Sequence, residues 1–294
     1  MAVIWGIPYL FIKIAVGELT PASLVFLRTA IGAVLLLPVA AARKDLAPLA
    51  RHWRWILLYT LVEVAVPWFL VSDGERHVSS SLAGLLIAAT PSFGAILAWA
   101  TGGERLDRRR SLGLAVGFAG VGALVGLDVR ADDLSAVVEI LLVAVGYAIG
   151  ATIIARKLSN LPSLGVVAAS LALTAIAYAP VGVTQLPAAV PSGSVVLSVA
   201  VLSIVCTALG FLLFFPLIAE VGSARATVIA YLNPAVALAL GIAVLGEPLT
   251  FGIALGFVLI VVGSVLATWR TAARSTPETT RAGYPRIQER ARTD

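Results

Sequence analysis

A single cysteine, Cys206, is present, and it lies inside an apolar run. No disulfide, CxxC pair or cysteine-based zinc site can therefore be assembled within one chain. Only two histidines occur, His52 and His77, and both sit in polar connectors rather than in an HExxH helix, which argues against a zinc protease. No GxxxxGK[ST] phosphate loop is present, so the chain encodes no ATPase of that type, and no cofactor is expected. Charge is scarce too: 13% of residues are Asp, Glu, Lys or Arg, where an ordinary soluble domain has about a quarter. What fills the space is apolar. Hydrophobic residues make up 60% of the 294 positions and mean hydropathy is +0.99. Apolar runs of about 20 residues recur along the chain, each long enough to cross a hydrocarbon core of about 30 Å. The net charge of +5 comes from short basic clusters between these runs. It reads as charge facing lipid headgroups rather than as a nucleic-acid surface.

One stretch occurs twice. Ser79 to Gly126 aligns without a gap on Gly222 to Trp269, placing Pro91 on Pro234, Gly103-Glu104 on Gly246-Glu247, Gly113 on Gly256 and Gly120 on Gly263. A proline, an acid and several glycines held in register over two helices indicate a duplicated unit, and duplication in a membrane protein points to a transporter.

Ten helices are read, at 2–16, 22–42, 54–72, 79–101, 109–127, 134–155, 163–182, 193–214, 222–244 and 250–269. The expected fold is an all-α integral membrane protein of ten transmembrane helices in two five-helix repeats, 1–127 and 134–269. The Arg/Thr-rich segment 270–294 reads as a disordered cytoplasmic tail. The first span is short for a crossing, which a start other than Met1 or a lost turn would explain. A cleaved signal peptide fits poorly, since no basic region precedes the apolar run. Arginine and lysine cluster in alternate connectors, at Arg43, Lys44, Arg51 and Arg54, at Arg105 and Arg108 to Arg110, and at Arg156 and Lys157. The other connectors hold only Arg76 and Arg130. The positive-inside rule then puts both termini in the cytoplasm of a cell-membrane protein. Five spans per repeat is an odd number, so the second copy enters the membrane inverted relative to the first.

Three segments together resemble the EamA-type carriers of the drug/metabolite transporter superfamily. They are WGIPYLFIKIAVGELTPASLVFLRTAIGAVLLLP at Trp5 to Pro38, the T-P…GER-L segment at Thr90 to Leu106, and the N-P…GEPL segment at Asn233 to Leu249. Each motif alone is weak; their order, spacing and duplication carry the likeness, which extends from Ala2 to Trp269. The resemblance implies a ten-helix fold around a central cavity and the movement of small metabolites, without naming a substrate. The clipped first helix and an acid within the third helix depart from the usual pattern.

That acid is Glu63, about ten residues into its span and so about 15 Å deep. Ionisable groups at such depth mark proton or substrate sites. The competing reading is a structural acid bonded to a neighbouring helix. Lys13, Arg28 and Glu139 form a second group near the other face. Glu139 is expected to pair with Arg28 or Lys13 and close an outer gate, against the alternative that Lys13 and Arg28 snorkel to headgroups. Arg28 could also receive a substrate carboxylate. Pro91 and Pro234 fall mid-span at matching positions and are candidate helix breaks, with Thr90 and Asn233 adding polar groups at depth. Tyr147, Tyr231 and Trp5 are candidate cavity walls or simple packing. Glu104 and Glu247 each follow a glycine and open the next helix, which suits caps. Glycines along the fifth and tenth spans suit close helix contact.

The resulting expectation is a secondary active transporter of small organic metabolites such as amino acids, amines or drug-like compounds. It would work by alternating access, with proton-coupled export as the mode. A flippase for lipids or lipid-linked metabolites on the same fold is the alternative, and an intramembrane enzyme or a channel is less favoured. The partners are a small-molecule substrate and the bilayer, with a homodimer permitted and no nucleic acid.

Overall fold

The computed structural model describes residues 1–102, 107–221 and 228–268. Among them the chain is helical throughout. We number the helical stretches α1 (Ala2–Ala15), α2 (Pro21–Ala42), α3 (Ala47–His77), α4 (Ser80–Ala100), α5 (Arg108–Asp128), α6 (Ala131–Leu158), α7 (Ser163–Thr184), α8 (Gly193–Leu217), α9 (Val228–Leu245) and α10 (Phe251–Thr268). Eight are long and apolar enough to cross a membrane; α1 and the Leu232–Leu245 part of α9 are shorter.

Local chemistry sets the helix starts. Thr20 accepts the Ser23 amide ahead of Pro21, Ser79 accepts the Leu82 amide at 3.1 Å, and Asp107 accepts the Arg110 amide at 2.8 Å. Each side-chain oxygen satisfies one of the amides that a helix N-terminus leaves open. Interruptions have equally local causes. Pro8 brings no N–H, and α1 breaks at Ile7 just before it. α4 breaks at Ala88 and Ala89, just before Thr90 and Pro91. Pro234, by contrast, lies within a continuous α9. The matched mid-span prolines are thus not matched breaks.

Among the described residues three spans carry a widened π stretch: α6 at its end, over Ile154–Leu158, and α3 and α8 at places that correspond in the repeat. In α3 it covers Thr60–Ala65 and in α8 Val201–Leu209. The spacing that places Pro91 on Pro234 also places Glu63 on Cys206, so both residues sit in these turns. Single π turns inside α-helices concentrate at functional sites.

The closest packing is between α5 and α10, which run antiparallel. A Cβ on Gly113 would strike the Ala267 amide nitrogen, one on Gly263 the backbone of Gly117, and one on Gly256 the Leu124 side chain. Where lipid tails are as apolar as the helix surface, association depends on this sort of close van der Waals fit, which small residues permit. The pairs α2 with α7, α3 with α6, and α4 with α9 pack alongside one another as well. Leu85, Leu86, Ile140, Leu202 and Ile260 are fully buried where α3, α4, α6, α8 and α10 converge. Trp53, Trp55 and Trp99 are exposed at the arginine-rich end, with Arg54 over the Trp53 ring and Lys157 over that of Trp55. Tryptophans favour the membrane–water boundary.

Gly263→Leu should force α5 and α10 apart and destabilise the protein by about 1–3 kcal/mol, the usual cost of overpacking a tight contact. Gly122 faces open space, so Gly122→Ala should be neutral or stabilising by up to about 1 kcal/mol. Thermal unfolding of the two purified variants in detergent separates these outcomes.

Candidate functional site

Polar and charged side chains converge inside the bundle, on α1, α2, α3, α6 and α8. Arg28 is 8% exposed. Its Nε donates to Thr207 Oγ1 at 3.1 Å, and its guanidinium carbon lies 3.6 Å from the centre of the Trp68 ring. Thr207 belongs to the π turn of α8, and its hydroxyl donates back to the Leu202 carbonyl. The stacked geometry suits a guanidinium, which is planar and weakly hydrated. Tyr147 of α6 lies among Glu63, Arg28 and Trp68. Beneath them, Trp5 donates its indole N–H to the Cys206 carbonyl at 3.2 Å.

Glu63 sits in the π turn of α3, against α6. Its carboxylate occupies the space that a Cβ on Gly150 would need. One of its oxygens is buried without a hydrogen-bond partner among the described residues. A buried ionised carboxylate lacking partners is costly, so such a group exists either protonated or poised for a ligand.

Further toward the end opposite the arginine cluster, Lys13 reaches across from α1 to the last turn of α3. Its Nζ donates to the Glu75 carbonyl at 2.5 Å and to the Val78 carbonyl at 2.8 Å. These are carbonyls at a helix C-terminus, where the dipole favours a cation. The Glu75 side chain is fully buried, and neither of its oxygens finds a partner among the described residues. At the same end, Glu247 accepts the Ser80 amide at 2.7 Å, the Ser81 amide at 2.9 Å and the Ser81 hydroxyl at 2.5 Å. The connector can turn back to reach α4 because Gly246 has φ of 67°, a left-handed conformation that glycine adopts without strain. Nearby, Glu18 accepts the Ser192 amide at 2.8 Å, and bonding to Ser192 holds its carboxyl below the usual range.

The model of the EamA-like transporter family matches residues 1–126 and again 134–269. The chain belongs to this family. Among its relatives is the uncharacterized transporter YvbV of Bacillus subtilis (strain 168), 25% identical over 278 residues, with 93% of this chain and 91% of that protein covered. Another is the uncharacterized inner membrane transporter YedA of Escherichia coli (strain K12), 28% identical over 272 residues, with coverage of 90% and 87%. A solved crystal structure is similar in fold, with a TM-score of 0.63 at 21% identity over 91% of this chain and 94% of that one. The protein is accordingly a multi-pass membrane transporter rather than an enzyme.

Within this EamA-like transporter, Arg28, Glu63 and Tyr147 come together and Lys13 lies on the same interior. Lys13 does not snorkel, since both of its bonds are to α3 carbonyls. Glu139 is elsewhere: it faces Asp73 and His77 of α3 and forms no ion pair with Arg28 or Lys13. Its expected gate pairing is thus corrected; α6 presents Ile140, rather than Glu139, to the inner face of α3. Thr90 donates its hydroxyl to the Ile87 carbonyl at the α4 break beside Pro91. Pro234 is buried in unbroken helix, with the half-buried Asn233 before it. The Tyr231 side chain, Glu104 and the 270–294 tail lie outside the described residues. Glu247 is a cap, but of α4 in the other repeat rather than of the helix it precedes. Sequence reading missed Glu75, Trp68 and Thr207 altogether.

Glu247→Ala leaves two amides and a hydroxyl at the start of α4 without their acceptor. It should cost about 2 kcal/mol, the upper range for losing a cap. Thr250→Ala, which removes only the Ile253 amide contact, should cost about half as much. Thermal midpoints in one detergent order the two.

Proposed function

We propose that the protein is a secondary active transporter of small organic metabolites, working by alternating access of two inverted five-helix repeats. Ten spans are counted in this reading, with the short α1 and α9 completing the two sets of five. The observation that carries it is the packing of α5 on α10. Residue Gly113 in the first copy corresponds to Gly256 in the second, and Leu124 corresponds to Ala267. Gly113 meets Ala267 while Leu124 meets Gly256. These are the same contact exchanged between the copies, and the helices are antiparallel. A local two-fold axis in the membrane plane generates that relation, and it is the symmetry of carriers that rock about a central site. The paired π turns of α3 and α8 support the same axis.

The arginine-rich end is placed in the cytoplasm by the positive-inside rule, with both termini on that side. Arg28 and Glu63 are the substrate and proton groups. Glu63 would exchange a proton for a cationic or amine-bearing substrate, and Arg28 would receive an anionic group. The mode is export driven by proton exchange.

The test is proton release on substrate addition to reconstituted protein, screening amino acids, amines and cationic drugs, together with substrate counterflow. The wild type should show saturable counterflow and release protons, and Glu63→Gln should lose the release. Gly150→Ala, which displaces the Glu63 carboxylate, should reduce it in the same direction. If Glu63→Gln releases protons and transports as the wild type does, Glu63 is structural. Flux that rises without saturation would mean a channel. Lipid scrambling without solute counterflow would favour a flippase; the apolar groove of about 480 Å³ between α2, α8 and the 186–191 connector is where such a lipid would run.

A further inference from the structure

We propose that Glu75 is a second proton-binding site of this transporter, and that its protonation works a lock at the end where Lys13 and Glu247 meet α3 and α4. The lock has two ties. Lys13 holds α1 to the last carbonyls of α3, and Glu247 holds the α9–α10 connector to the first amides of α4. Glu75 stands between the ties. It contributes its own backbone carbonyl to the Lys13 tie, yet its carboxylate is fully buried with both oxygens lacking a hydrogen-bond partner among the described residues. No ion pair joins it to Lys13, although the ammonium is on its own carbonyl.

A carboxylate in that position is tolerable as the neutral acid and costly as the anion. The charged and titratable groups around it are Lys13 and Tyr9 on α1, Arg28 on α2 and Glu247 in the connector. On the α6 side it is the neighbouring Gly74 that packs, against the Ile140 side chain and the Ala136 carbonyl, and Glu139 is turned toward Asp73 and His77. When Glu75 gives its proton to water at this end, the new anion draws Lys13 Nζ from the two carbonyls to the carboxylate. It also repels Glu247 from the start of α4. Both ties weaken together and the end opens. When Glu75 regains a proton, Lys13 returns to its carbonyls and the end closes. The state described here, with both ties made, is the protonated one. Glu63 lies twelve residues earlier on the same span, roughly 18 Å away along the helix axis. The two acids therefore address opposite halves of the bundle.

The inference rests on the alternating-access reading, but its test needs no substrate. A reporter cysteine replaces Leu82, which is 5% exposed directly below the Glu247 tie. Labelling by a membrane-impermeant maleimide is followed in nanodiscs, where both faces are accessible and orientation does not matter. The chain retaining only Cys206 is the blank, and each rate is divided by that of the unfolded chain at the same pH. Between about pH 6 and about pH 8.5 the labelling of the reporter chain should rise about five-fold, as the locked population gives way to the open one. Adding Glu75→Gln should hold it at the low rate at both pH values, and adding Lys13→Met should give the high rate at both. Glu75→Asp keeps a titratable group on a shorter stem and should retain the step at a displaced midpoint. A reporter chain without a pH step, a Glu75→Gln step equal to the parent's, a Lys13→Met chain that stays slow, or a flat Glu75→Asp profile would each overturn the proposal. A lock that follows pH in a protein without counterflow would instead sink the carrier reading and leave the lock intact.

Discussion

Hydrocarbon offers nothing to a polar group, so a charge carried into this bundle needs its partner from within the chain. That constraint explains where the structure is tight. Arg28 has a hydroxyl at its Nε and an indole under its guanidinium. Lys13 bridges two carbonyls that the end of α3 leaves open, and Glu247 collects two amides that the start of α4 leaves open. In the last two cases a charged side chain completes the backbone of a helix other than its own. The helix ends so joined lie far apart in sequence, which makes these bonds ties between elements rather than ordinary caps. Removing one leaves a polar group stranded on each side, a larger loss than the net gain of making the bond.

The same constraint makes the exceptions informative. Glu63 and Glu75 have oxygens buried without partners among the described residues, on one span, above and below the Arg28–Trp68 stack. A bundle whose only task was to stand in the membrane would gain stability by replacing either acid with an apolar residue. Their cost is consistent with groups that change protonation as the protein works. Glu63 lies in a π turn whose counterpart in α8 carries Cys206 and Thr207, and Thr207 is the residue that Arg28 touches. The two copies have therefore kept an irregular backbone in common while diverging in chemistry. One copy supplies the acid and the other supplies a hydroxyl to the base. Divergence of that kind gives matching positions of the two copies different chemistry.

Much of the frame was legible in the residues. The gapless alignment of Ser79 to Gly126 on Gly222 to Trp269 pointed to the repeat, and the glycines at 113, 117, 256 and 263 pointed to close helix contact without saying that α5 and α10 would meet each other. The place of Glu63 midway along its helix followed from counting residues. Glu75 escaped because Asp73, Gly74, Arg76 and His77 surround it and read as a connector. The face made by Trp68, Val71, Glu75 and Val78 continues the helical stripe past that polar text, and all four are buried. Periodicity would have found it where composition did not. The pairing of Glu139 failed for the opposite reason. Its depth along α6 was read well enough, but depth along a helix says nothing about the direction a side chain takes around it. Ile140, one residue on, is the one facing Gly74 of α3.

The prolines mark another limit of sequence symmetry. Pro91 and Pro234 occupy equivalent positions, yet α4 breaks before the first while α9 runs through the second. A proline removes one donor and crowds the preceding turn wherever it stands; whether the helix gives way depends on what can take up the freed carbonyls. In α4 the Thr90 hydroxyl takes the Ile87 carbonyl, and the Ser264 hydroxyl of α10 takes that of Ala88. Both bonds fall at the interruption, so the open state of the backbone is supported from its own strand of chain and from the neighbouring helix. Equivalent residues have thus been given different surroundings. The register of the repeat therefore carries over the proline but not the bend, because the bend depends on hydroxyls that only one of the two positions has been shown to receive.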